Sequence, residues 1–514
     1  MADSNTSIKE KNPQYSRFIE DWQRMQDTYE GERAVKERTT VYLPPTAGML
    51  LDGMDIGKPG RAAYSAYLTR AVFHNFVSDA VEAMLGFMHQ QPPTIELPAQ
   101  MESMRENATV YGESLELLLR RINEQQLVMG RIGLYADLPA TPQLGPVLPY
   151  IVTYAAPAII NWDDGTTDED QLSKLNLVVL DESGMMRGTG LAWYEVEQYR
   201  VLMLGTMDGS DKNTYQVGVF RNPTTSVPTP DGVFPSLDFT QSAMMAPRLS
   251  GQTFDQIPFV FINSKDIVPV PDNPPFLELA NLCLAIYRLE ADYRQTLHKQ
   301  GQDTLVTIGA RHRDTDDGEW RIGSGASIDV EVGGDAKFIG ISADGIGGQR
   351  QALEDDKQQA QSKAGALLTN DNSSSNESGE ALAIRVAART ATLTQIAKAG
   401  AAGLEKILRM IAQWRGLDPS QVKVTPNTDF AKGDLTGQDL VQLMTAKRLG
   451  APMSLETLHE IMSDRGLTSK TFDDEIKKME EEDELGLGLG LGTGTGAGGN
   501  PDNPGSQLPT NDAE

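Results

Sequence analysis

The sequence has a single cysteine, Cys283, in 514 residues, so no intramolecular disulfide framework is available to it. Its five histidines, His74, His89, His298, His312 and His459, are scattered and none has a partner at metal-ligand spacing, which excludes the common zinc arrangements. No stretch approaches the roughly 18 apolar residues that cross a bilayer. Residues 1–14 are polar, without the apolar centre of a signal peptide. Excess positive charge is missing as well. Lys and Arg number 45 against 72 Asp and Glu, a net charge of −27, which argues against a protein that coats DNA or anionic membrane through a general positive field. These absences fit a large, acidic, soluble protein of a reducing compartment, long enough for three or four lobes.

The motifs of common chemistries are also missing. There is no phosphate-binding G-x-x-x-x-G-K-[ST], no G-x-S-x-G elbow and no H-E-x-x-H helix. GIGGQR at 345–350 lacks the third glycine of a dinucleotide fingerprint and reads as a flexible helix start. Acid-rich stretches at 163–170 and 314–317 lack the D-x-D-x-D-G order of a calcium loop and read as solvated turns. Basic–aromatic interleaving for single-strand binding is absent. No catalytic constellation, cofactor site or metal site emerges, and the histidines and Cys283 read as structural or surface residues.

What is present is a sequence of periodicities. Residues 1–40 are polar and charged. From 64 to 88 apolar residues recur at helical steps, with Phe73, Phe76, Val77, Ala80, Val81, Met84 and Phe87 on one face and Pro92-Pro93 as the stop. A second helix is expected over 114–129, closed by Gly130, with Leu115, Leu118, Leu119 and Ile122 inward. The period then becomes strand-like at 132–135, 149–160, 175–180, 194–204, 215–220 and 258–262, separated by turn residues. A proline cluster at 269–275 opens a helix at Phe276, whose seam of Leu279, Leu282, Ile286, Leu289, Tyr293 and Leu297 spans only about 80°, with Arg288, Asp292 and Lys299 opposite.

Residues 304–341 return to short strands. A helix over 347–368 is polar nearly all round, a pattern stable chiefly with support from other chains or domains. The loop 369–379, TNDNSSSNESG, has no reason to pack. The longest helix, 380–413, carries a seam of Leu382, Val386, Leu393, Ile396, Leu404, Ile407 and Ile411, ended by Gly416 and Pro419. Two or three short helices between 436 and 478 follow. Residues 471–514 hold eleven acids and two lysines, a third of the net charge, and 485–500 read LGLGLGLGTGTGAGGN; 485–514 is therefore expected to be a disordered tail.

The order of these segments resembles tailed-bacteriophage portal proteins, in particular a portal family long known only as a domain of unknown function. The likeness is carried by RAVFHN at 70–75, LG at 85–86 running into QPP at 91–93, GRIGLYADLP at 130–139, PY at 149–150, IINW at 159–162, IPF at 257–259, PFLELA at 275–280 and ESGEA at 377–381. It covers roughly residues 40–415, and the order and spacing of the fragments are more specific than any one of them.

The resemblance implies an α+β fold, an elongated subunit with a mixed α/β wing, a two-helix stem, a small β-containing clip and an α-helical crown. Its implied divisions are an N-terminal arm 1–40, wing 41–270, stem helix 271–303, clip 304–343, second stem helix 344–368, tunnel loop 369–379, long wing helix and following strand 380–430, crown 431–484 and tail 485–514. The implied function is a ring of twelve copies at one capsid vertex, assembled in the host cytoplasm, through which the genome is packaged and ejected without catalysis by the ring. The implied partners are double-stranded DNA, the terminase large subunit, a head–tail adaptor, and capsid and scaffolding proteins, with no membrane and no cofactor.

By the same resemblance, Asn370, Asp371, Asn372, Ser373, Ser374, Ser375 and Asn376 face DNA in the tunnel loop. Gln351, Asp355, Gln358, Gln359 and Ser362 line the channel wall. Arg311, His312, Arg313 and Asp316 form a clip loop for terminase or adaptor docking. The tunnel loop has no cation, only Asp371 and Glu377 as charges, so contact there is expected to be weak and steric. Polar and acidic walls suit passage of a polyanion, because each neutralised phosphate would add to its residence. Two other readings stay open: another head–tail adaptor or capsid assembly protein, and a soluble enzyme whose site is assembled from dispersed residues.

Overall fold

A computed structural model describes residues 7–139, 149–163, 175–187, 191–206, 213–223, 244–249, 251–300, 304–310, 330–339, 345–365, 379–428, 445, 454–464 and 470–484. The chain falls into two units, Met1–Phe430 and Ala431–Glu514. The class is α+β, as the resemblance implies.

The first unit opens with helices α1 (Pro13–Glu30), α2 (Glu32–Glu37), α3 (Ala47–Leu51), α4 (Pro59–Arg70) and α5 (Phe76–Met88). Asn12 and Pro13 start α1, the Asn12 side chain accepting from the Gln14 N–H at 2.9 Å. Within this polar segment α1 buries Tyr15, Phe18, Trp22 and Met25 in the main core. Their i, i+3, i+4 spacing is diluted by the charges between them, which hid the face in the sequence. The single helix expected over 64–88 is two. Residues 71–75 are non-helical between α4 and α5, and Asn75 accepts from the Ser78 N–H at 3.0 Å, a cap that starts a new helix where the apolar period would have continued.

A short strand β1 (Thr94–Glu96) precedes α6 (Leu115–Met129). Ser114 caps α6, and Gly130 ends it at φ +71°, a left-handed conformation in which a side chain is strained. The strands are β2 (Arg131–Asp137), β3 (Tyr150–Ala155), β4 (Ile159–Asp163), β5 (Leu177–Asp181), β6 (Gly184–Arg187), β7 (Trp193–Thr206), β8 (Asn213–Pro223) and β9 (Phe259–Asn263). β2 lies between β3 and β9 in one antiparallel sheet. In a second, β7 is the long central strand: β5 and β6 follow one another along one edge, β8 covers the other, and β4 adds beyond β5. β6 had no sequence signal because only Met185 and Met186 interrupt a glycine-rich turn.

The polar network of Arg200 joins the two sheets. Its Nε donates to Glu182 at 2.7 Å and its Nη1 to Asp137 at 3.1 Å. Tyr154 donates to Glu182 at 2.6 Å and Tyr150 to Asp137 at 3.2 Å.

Helix α7 (Leu277–Gln300) follows, then the antiparallel hairpin β10 (Thr304–Ala310) with β11 (Val330–Ile339), then α8 (Ile346–Gly365) and α9 (Gly379–Trp414). β12 (Lys423–Thr425) pairs back onto β1. A second apolar cluster is closed by α9 over α6 and the first sheet, with Leu404, Ile407, Leu408 and Ile411 fully buried. Leu393 and Ile396 of the predicted seam are buried in the main core, while Leu382 and Val386 lie outside the described side chains. The second unit contains α10 (Leu455–Asp464) and α11 (Phe472–Glu484), started by Ser454, which accepts from the Thr457 N–H at 2.9 Å, and by Thr471, which accepts from the Asp474 N–H at 3.3 Å.

Candidate functional site

The site the sequence points to is the helix pair α7–α8 with the hairpin that connects it. The two helices run antiparallel: Glu278 near the start of α7 meets Lys363 near the end of α8 at 2.8 Å, and Glu290 meets Lys357 at 3.2 Å. The hairpin is in continuous register from Thr304↔Ile339 to Ile308↔Asp335, with an irregularity before Ala310↔Val330. In sequence order a strand pair that returns the chain on itself lies between two antiparallel helices.

α7 buries Leu279, Ala280, Cys283, Leu284, Ile286, Tyr287, Glu290 and Ala291, a stripe broader than the expected narrow seam and displaced from it. Leu282, Leu289 and Tyr293 are only half-buried and Leu297 is exposed. The reason lies on the other side. Arg288 donates to the Tyr42 carbonyl at 2.9 Å, Tyr67 donates to Asp292 at 2.6 Å and Arg70 donates to Gln295. Arg288 and Asp292, on the side opposite the expected seam, are thus taken up by the segment before α3 and by α4. The first two-thirds of α7 therefore draws its stability from its own chain. Cys283 is buried as expected, and burial pushes its thiol up to about 12.

α8 is different. Only Leu353, Ala360 and Ala364 are buried, against α7 and α5. The five residues predicted for a channel wall, Gln351, Asp355, Gln358, Gln359 and Ser362, are all exposed along this helix; Gln351 donates to Asp355 at 2.7 Å. The predicted tunnel-loop residues 370–376 and the clip-loop residues Arg311, His312, Arg313 and Asp316 lie outside the described residues.

Sequence reasoning missed the charge cluster that holds α8 in place. The Glu290 side chain is only 3 % exposed. Arg294 Nε lies 2.6 Å from it, Lys357 Nζ 3.2 Å and His74 Nε2 3.7 Å. Burial alone would raise the Glu290 carboxyl, but Arg294 and Lys357 hold it below the usual carboxylate range. Burial, aided by Lys357, lowers His74 despite the nearby Glu290. The Glu290–Arg294 spacing of four was legible as a helical ion pair; the long-range contact to Lys357 left no local signal.

Two other polar features were also illegible. Arg131 is fully buried without a carboxylate. It donates from Nη2 to the Pro269 carbonyl at 2.7 Å and lies 4.4 Å and 4.1 Å from the Trp162 and Phe261 ring centres. The two π-faces stand in for counter-ions, and burial pulls the guanidinium down to about 9. The second is the Arg200 network, whose carboxylates are consumed by one cation; Glu182 is held low by Arg200 against the opposite pull of burial.

An open groove of about 650 Å³ lies between residues 265–268 and α9, with Lys265, Asp266, Lys398 and several alanines on its walls. Asp266 accepts there from Asn263 at 2.9 Å. No paired carboxylates or histidines line this groove. Among the described residues no group of three His, Cys, Asp or Glu could hold a metal ion, and no helix is long and apolar enough to cross a membrane.

A family model described as a domain of unknown function, DUF4055, matches residues 275–415. The matched span runs from the start of α7 through α9. No curated protein matches the chain. Among solved structures, the chain is similar to one in the neck of a native GTA particle computed with C12 symmetry, at 14 % identity and a TM-score of 0.33, covering 74 % of this chain and 88 % of that one. It is likewise similar to a chain in the neck of an empty GTA particle computed with C6 symmetry, at 15 % identity and a TM-score of 0.34, covering 82 % and 94 %.

Proposed function

We propose that the chain is the subunit of a phage portal: a ring, of twelve copies by the family resemblance, at one capsid vertex, through which double-stranded DNA is packaged and ejected. The observation that carries this reading is the α7–hairpin–α8 unit. One helix is anchored in its own chain, the other offers a long polar outer face, and a hairpin separates the two in sequence. In this reading α7 and α8 are the stem, 304–343 the clip that docks the terminase large subunit and a head–tail adaptor, 369–379 the tunnel loop and 431–484 the crown. Capsid and scaffolding proteins are the further partners, and no membrane or cofactor takes part.

The exposed face of α8 suits such a wall chemically. Its glutamines and Ser362 offer hydrogen bonds without fixed positive charge, so a polyanion can pass without the counterion-release affinity that phosphate-neutralising cations would add. Mass photometry and negative-stain images of the purified full chain test the reading. Rings with a central hole are expected; a stable monomer under capsid-assembly conditions would contradict it. Shortening 369–379 is expected to leave rings intact and impair DNA packaging or retention, and loss of the ring itself would make that segment an inter-subunit staple instead.

A further inference from the structure

One buried carboxylate serves three elements. Glu290 of α7 is reached by Arg294 on its own helix, by Lys357 of α8 and by His74 of the link between α4 and α5. Arg294 takes one oxygen, Oε1, at 2.6 Å. The other two groups face the same second oxygen: Lys357 Nζ lies 3.2 Å from Oε2, and His74 Nε2 lies 3.7 Å from it. At 3.7 Å the imidazole stands just beyond hydrogen-bonding distance. Among the described residues neither Oε2 nor the buried Nε2 of His74 has a hydrogen-bond partner. The ion pair with Lys357 is what occupies that oxygen, and His74 is next in line for it.

Counting charges shows what a proton does here. With His74 neutral, two cations flank one carboxylate; with His74 protonated, three do. The other charges nearby are engaged elsewhere: Arg70 of α4 donates to Gln295, Asp292 of α7 accepts from Tyr67, and Asp79 of α5 acts on the Cys283 thiol. The third cation therefore repels Lys357 and Arg294 while its new N–H competes for Oε2.

The anchors decide which group gives way. Arg294 sits one turn from Glu290 on the same helix and stays with it. His74 is fixed from both sides. Ala71 and Phe73 are buried, Phe73 meets the Tyr287 ring edge-on with centres 6.0 Å apart, and Asn75 donates to the Tyr29 carbonyl at 3.0 Å. Lys357 rides on α8, where only Leu353, Ala360 and Ala364 are buried among the described side chains. The one other ion pair holding α8 to α7 among the described residues, Lys363 with Glu278, is exposed and contributes little.

We propose that His74 is an acid-operated latch on α8: its protonation displaces Lys357 from Glu290 and frees α8 from α7 while α7 stays in place. Burial and Lys357 both lower His74 while α8 is docked. Release removes Lys357, so proton uptake and release of α8 favour one another by the same free energy. In the ring reading, the latch sets how firmly the polar face of α8 is held.

The test is hydrogen–deuterium exchange of the full chain at pH 7.5 and 5.5, corrected for the intrinsic pH dependence of amide exchange, comparing 346–365 with 277–291. Protection of α8 is expected to fall roughly tenfold at pH 5.5, as a difference of one pK unit between docked and released states gives, with 277–291 unchanged. In His74→Gln α8 is expected to stay protected at both pH values; in Lys357→Met it is expected to be weakly protected at both. Equal protection of α8 at both pH values in the unmodified chain would overturn the latch. So would loss of 277–291 together with α8, or an acid response that survives His74→Gln, which would pass the role to His89 or His298. If His74→Gln does not fold, His74→Phe serves, since it keeps a ring beside Phe76. The readout is local to the subunit: a failed latch leaves the ring reading standing, and acid release of α8 in a chain that forms no ring would sink the ring reading alone.

Discussion

Helices α7 and α8 lie side by side, are 24 and 20 residues long, and solve opposite problems. α7 is surrounded by α1, α4, α5 and α8 and spends even its polar face on its own chain. α8 buries three residues and is pinned by Lys357 and Lys363 to carboxylates of α7. One helix is a foundation and the other a facing. A helix that keeps a polar outer side along its length, held by a rigid neighbour, is suited to line a surface past which something moves. Its position depends on a buried charge, and a buried charge is tolerated only with partners in place.

The sharpest way to break this contrast is a charge on each helix. Ile286→Asp in α7 places an unpaired carboxylate in a fully buried position and is expected to cost about 4 kcal/mol or more, enough to remove soluble folded protein. Gln358→Asp on the exposed face of α8 is expected to change stability by about 0.5 kcal/mol or less. The soluble yield of both variants, and the urea midpoint of Gln358→Asp against the unmodified chain, measure the difference. A smaller effect is expected at the pin. Lys357→Met removes one of two cations from Glu290 and is expected to cost about 2 kcal/mol. It should also raise proteolytic cleavage within α8 before any in α7.

Acid sharpens the comparison further. Burial lowers both His74 and His89 below their unfolded values, so as pH falls the unfolded chain takes up protons first and stability is lost from about pH 6.5 downward. The lowered Glu290 carboxyl contributes stability that is present above its unfolded value, near pH 4.3, and is lost as pH falls through the folded one. The urea midpoint is therefore expected to decline between pH 7 and 5, less steeply in His74→Gln, and to drop again below pH 4.5. A smaller and local loss is expected at a cap: Asn75→Ala removes the one that separates α4 from α5 and is expected to cost about 1 kcal/mol, read as a shift in the same midpoint.

Much of the fold was legible because its periodicities are long. α6 begins and ends at its predicted Ser114 and Gly130, the six expected strand regions all contain strands, and the helix 380–413 is α9 within a residue at each end. The failures share a cause. Trp22 and Met25 were missed because charged neighbours masked a helical face that only α7 and its companions complete. The α4–α5 break was missed because one side-chain cap overrode a continuous apolar pattern. Of the candidate site, the polar character of α8 was readable from composition, whereas Glu290, Lys357 and His74 come from three separate elements and meet only in three dimensions. Arg131 is the extreme case: its partners are two aromatic faces and a carbonyl, and no spacing in the sequence announces them.

Cys283 is buried with its thiol pushed up, so a cysteine placed at Gln358 becomes the one reactive thiol of the chain. An electron-dense maleimide tag on Gln358→Cys, viewed end-on by microscopy of the assembled particle, addresses the claim that α8 lines a channel. The account expects tag density inside the central hole of a ring. Density on the outer rim, or labelled single subunits with no ring, would contradict it.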